Sequence, residues 1–150
     1  MKPFALARVL QLAERRSETL SRSVKFAHGV WLRARGRMVQ LTTLRDARIA
    51  QWAAQRRAGV AAAQLQEMNR LQRAQAEEMR AAQADIDAAH AAWQARLAEW
   101  MQVEQRVKAL RLLQQRYQAQ AAIQQRRIEQ RAHDELVELM HRTEVNRPGY

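Results

Sequence analysis

Four histidines, His28, His90, His133 and His141, are the side chains best able to hold a metal ion or move a proton near neutral pH. No two stand four apart beside a carboxylate, the spacing that turns two imidazoles on one helical face toward a shared ion. His133 and His141 are eight apart, two turns of helix, too far to share one. Cysteine is absent, which removes thiolate ligands, thiol nucleophiles and disulfides. Ser17, Ser21 and Ser23 cluster without a glycine-framed elbow or a neighbouring base. Four glycines in the whole chain leave no loop to cradle a phosphate. Carboxylate pairs such as Glu77-Glu78 read as a solvated helix face rather than as acid and base. The pattern predicts no catalysis, no metal and no cofactor.

Binding chemistry remains. The formal charge is +11, and residues 1–58 carry +10 of it. Arg33, Arg35 and Arg37 beside Trp31 could track phosphates, which makes a basic helical nucleic-acid-binding protein one reading. No compact reading motif accompanies them, so no specific nucleic acid is expected. The basic amphipathic stretch 1–25 suits an acidic lipid surface. Apolar residues 4–13 are interrupted by Arg8 and followed by Glu14-Arg15-Arg16, unlike a cleaved signal. No run approaches the ~18 apolar residues of a membrane span. A cytoplasmic protein, free or peripheral at a membrane, is the expectation.

The elements that position these groups are helical. Ala, Arg, Gln and Leu make up 86 of 150 residues, and no proline falls between Pro3 and Pro148. Sheet folds need turn residues every 8–12 positions, so β and α/β domains are excluded. Only eight aromatics are present, too few for a broad globular core. A 3/4 spaced row runs from Leu6 through Leu10, Ala13, Trp31 and Leu41 to Trp52, with eleven of fourteen positions apolar. A second runs from Ala61 through Met68, Ala82, Trp93, Val107 and Tyr117 to Ile128, with fifteen of twenty apolar, then drifts to Ala132 and Leu136. Arg56-Arg57-Ala58-Gly59 reads as a helix end, cations on the last turn and glycine as the left-handed stop.

These rows predict an all-α fold, a long two-helix antiparallel coiled-coil hairpin with an overhanging C-terminal helix. Residues 1–150 form one domain: helix one at about 3–57, the turn at 58–60, helix two at about 61–142, then a short tail. Gly29 and Gly36 lie opposite the seam as tolerated surface glycines. With the turn centred on Gly59, residue i lies opposite roughly 118 − i. Residues 14–41 (+5) then face residues 77–104 (−4), a complementarity that selects register more than it adds stability. Leu71, Leu97, Met101, Leu112, Leu113 and Ile123 flank the seam and are expected to widen the interface. Beyond residue ~115 no first helix remains to cover Tyr117, Ala121, Ile128 or Leu136, and exposed apolar rows of that kind mark partner surfaces. On these residues alone the chain is a coiled-coil scaffold or tether.

The stretch from Trp100 through Arg106-Val-Lys-Ala-Leu-Arg-Leu-Leu-Gln-Gln-Arg116 to Arg127-Ile-Glu-Gln-Arg131 and Asp134-Glu135-Leu136 resembles the FliJ family of the bacterial flagellar type III export apparatus. Residues 100–136 match residue by residue, and the remainder by length and periodicity. The resemblance implies an antiparallel two-helix stalk like the shaft of a rotary ATPase, seated in a hexameric export ATPase and touching the membrane export gate. It also implies help in coupling ATP hydrolysis to export of flagellar subunits, and contact with export chaperones. An injectisome stalk is the related alternative. The ATPase-facing residues it implies are Tyr117, Arg127, Ile128, Glu129, Gln130, Arg131, Asp134, Glu135 and Leu136, with Leu71 toward the gate. Such a protein sits on the cytoplasmic side of the inner membrane.

Overall fold

The computed structural model describes residues 2–149 and shows two helices, α1 (Ala7–Ala58) and α2 (Ala62–Val145), with no strand among the described residues. The fold is an all-α helical hairpin. Gly59 ends α1 with φ 93°, a left-handed conformation that an L side chain adopts only with strain, and its N–H reaches the Arg56 carbonyl at 3.3 Å. Ala61 caps α2 from just outside it, where its N–H donates to the Gln64 side chain (3.3 Å) while its carbonyl accepts from the N–H groups of Gln64 and Leu65. Gly29 and Gly36 sit inside unbroken α1, and a Cβ at either would meet nothing within 4 Å.

The described residues form two compact units, one spanning Arg16–Val103 and the other joining residues up to Arg15 with those from Glu104 onward. In the first, Ser17, Leu41, Met68, Gln75, Ala82 and Ala89 are buried, all on the two 3/4 rows. Alanines there keep the seam narrow. Where the helices need bulk, His28 and Trp31 of α1 meet His90 and Trp93 of α2. Trp31 stacks on Trp93 at 5.0 Å between ring centroids, His28 lies 4.6 Å from Trp93, and His90 lies 5.7 Å from Trp31. The guanidinium of Arg35 lies over the Trp31 ring, 4.8 Å from its centroid, a cation–π contact. Arg37 pairs with Glu78 across the seam at 3.9 Å, while Glu77 turns to Arg80 of its own helix at 2.6 Å. Near the turn, Glu67 and Arg70 bond one turn apart, and that hydrogen bond holds the exposed Glu67 carboxyl below the usual carboxylate range.

In the second unit Leu10, Ala13, Val107 and Leu110 make the core, with Val107 only 1% exposed. Glu14 and Arg111 pair across its rim at 3.3 Å. Phe4 lies against Tyr117, ring centroids 5.5 Å apart, and the Tyr117 hydroxyl donates to the Lys2 carbonyl.

Several expectations change. The first helix begins at Ala7, not Pro3, because Phe4 leaves the helical path to lie on Tyr117, and the Ala7 N–H closes a turn on the Phe4 carbonyl at 3.1 Å. The register moves by about three residues, for the paired rings Phe4–Tyr117, His28–Trp93 and Trp31–His90 each total 121 in residue number. Three non-helical residues, Gly59, Val60 and Ala61, centre the turn on Val60 rather than Gly59. Of the flanking apolar residues only Leu97 is half-buried. Leu71, Met101, Leu112, Leu113 and Ile123 are exposed, because a two-helix seam has no third element to cover its flanks. Finally, α2 runs three residues past 142 to Val145 and stops before Pro148, which disfavours helix in the residue preceding it.

Candidate partner-binding surface

The expected binding residues divide at Ala121. Tyr117 is half-buried against Phe4 and Ala121 is half-buried, so the expectation that both lie uncovered is corrected: the N-terminal segment of the same unit reaches Tyr117. From Ala122 to Val145 every side chain of α2 is exposed. Ile123, Ile128, Leu136, Val137, Leu139 and Met140 are 48–61% exposed although they sit on a well-formed helix. Single exposed apolar residues are ordinary; this many on one helical segment is a patch.

At 100° per residue Ile128, Ala132, Leu136 and Leu139 form one stripe continuing the seam row, with Glu135 at its border. Arg127, Arg131, Asp134 and Glu138 follow one edge, changing from positive to negative along the helix. Glu129 takes the other edge, where it accepts a hydrogen bond from Gln125 at 3.3 Å. Gln130 lies on the far face beside Val137, away from the stripe. The segment therefore carries eight of the nine expected residues, seven on or beside the stripe and Gln130 behind it, while Tyr117 is used inside the fold. Leu71 belongs to the other unit, 37% exposed beside the turn, where it lines a cleft with Trp52, Val60 and Met68.

The surface has hydrophobic and ionic means of docking. Among the described residues no group of three or more His, Asp or Glu is placed to hold a metal ion, and no helix is long and apolar enough to cross a membrane. Met140 broadens the stripe at its flank, while Val137 adds an exposed apolar side chain on the far face. Their signal in the sequence was the run Leu136-Val137-Glu138-Leu139-Met140, too apolar for a fully solvated helix. The ring cluster also had a signal: His28-Gly-Val-Trp31 and His90-Ala-Ala-Trp93 repeat one spacing in the two arms, so an antiparallel pairing sets each His against the other arm's Trp.

A family model described as Flagellar FliJ protein matches residues 1–146 of the chain. No curated protein and no solved structure matches it.

Proposed function

The chain belongs to the flagellar FliJ family, components of the flagellar export apparatus, and from that premise we propose that it is the central stalk and adaptor of the flagellar type III export ATPase. The carrying observation is the exposed apolar stripe on residues 122–145, helical without any cover from the chain itself. A helix of this length is marginal alone in water, and a ring that closes around it supplies the burial it lacks. Ile128 and Leu136 would enter the apolar contact. Arg127, Arg131, Asp134 and Glu135 would tune approach and register at its rim.

In this reading residues 1–150 act as one coiled-coil domain. The paired region, held by the seam and the His–Trp cluster, is the stiff lever. Leu71, exposed near the turn, is the contact toward the membrane export gate, and export chaperones are further partners of the exposed helix faces. The protein works without chemistry of its own, on the cytoplasmic face of the inner membrane, where the basic first arm suits a peripheral lipid contact. Coupling of ATP hydrolysis to export then passes through the helices themselves rather than through a bound cofactor.

Pull-down of the export ATPase by the full chain and by a chain ending at Ala121 tests this. Capture by the full chain only is expected. Equal capture by both would overturn the assignment of the overhang as the ring-binding end.

A further inference from the structure

The exposed segment of α2 is complementary to itself. Its first half, residues 122–133, holds Arg126, Arg127 and Arg131 against Glu129, a formal +2. Its second half, 134–145, holds Asp134, Glu135, Glu138 and Glu144 against Arg142, a formal −3. Two copies laid parallel would set like charge on like; laid antiparallel they set each half on its opposite. From this we propose that the free protein pairs with a second copy of itself through residues 122–145, antiparallel, about a twofold axis near residues 134 and 135.

Side-chain placement agrees with that axis. Arg131 and Glu138 are seven residues apart and therefore on the same edge of the apolar stripe. An antiparallel twofold places Arg131 of one copy beside Glu138 of the second copy, and the same contact recurs on the other side of the axis. Arg126 and Glu144 repeat this relation on the opposite edge. Among the described residues none of these four makes an ion pair within its own chain, so all are available for one between chains. Between the edges Ala132 meets Leu136, small against large, and Ile128 lies opposite Met140. The pairing covers the stripe that the chain leaves bare, and it hides that stripe until another partner takes its place.

The inference goes beyond the export reading, and its test needs only the purified chain. Sedimentation velocity across a micromolar concentration series should show a monomer–dimer equilibrium. Arg131→Glu alone and Glu138→Arg alone should each weaken the dimer at least tenfold, since each sets two like-charge contacts at the axis. The double variant, Arg131→Glu with Glu138→Arg, should recover the original dimer, because reversal of both partners restores both pairs. Circular dichroism on the same samples confirms that the exposed substitutions leave the helices intact. A wild-type chain that stays monomeric throughout, or a double variant no tighter than the single ones, overturns the proposal. ATPase capture can fail while this equilibrium persists, or succeed in its absence, so the two readings fall separately.

Discussion

Residues 104–121 and 122–145 of α2 carry similar side chains on one continuing row, yet they live differently. In the first stretch Val107 and Leu110 are buried against residues up to Arg15, and Tyr117 is clamped by Phe4 and Lys2. In the second, Ile128 and Leu136 stand 60% and 57% exposed on an equally regular helix. Hydrophobic burial of a Val or Leu side chain is worth about 1.5–3 kcal/mol. The first stretch has already collected that stabilisation within the chain; the second has not, because its apolar side chains remain exposed. One row is thus covered within the chain until Ala121 and bare after it, and the point of change is where the first arm ends.

The sharpest way to break this contrast is to put the same charge on both sides of it. Val107→Asp strands a carboxylate in the seam, costing about 3–5 kcal/mol, which lowers the melting temperature by about 10 °C for a chain of this size. Asp at an exposed position such as Ile128 stays within about 0.5 kcal/mol of wild type. Thermal melting followed by circular dichroism reads both; equal shifts would mean that the two stretches are not different in kind.

A smaller effect tests the turn that sets the register. At φ 93° Gly59 has open space around its Cβ position, so any penalty for replacing it is conformational rather than steric. Gly59→Asn should melt close to wild type, because asparagine visits the left-handed region. Gly59→Val should cost about 1–3 kcal/mol through a strained backbone. Equal melting of the two variants would place the reversal of chain direction elsewhere.

Much of the fold was legible in the residues because a coiled coil is nearly one-dimensional. The absence of internal proline, the 3/4 rows and Arg56-Arg57-Ala58-Gly59 named the helices and their break, and every buried residue among those described falls on those rows. Periodicity does not fix pairing, however. The register depended on how many residues around Gly59 would leave the helix, and that three did so follows from Ala61 acting as the cap for α2. Tyr117 was misplaced for a related reason: an aromatic on the row looks the same whether an arm or a partner covers it, and Phe4 reached it by leaving the helix early. The apolar character of 122–145 was visible in sequence, whereas its limit at Ala121 needed the packing of residues up to Arg15.

The central claim is that residues 122–145 bind the export ATPase without helping the hairpin to fold. It is tested most directly by measuring capture and stimulation of the purified ATPase by the Ile128→Asp, Leu136→Asp double variant beside its melting curve. Loss of binding and stimulation with a melting temperature within about 2 °C of wild type is the expected result, as both side chains are exposed in the chain alone. A variant that melts normally and still binds and stimulates the ATPase like wild type would contradict the claim.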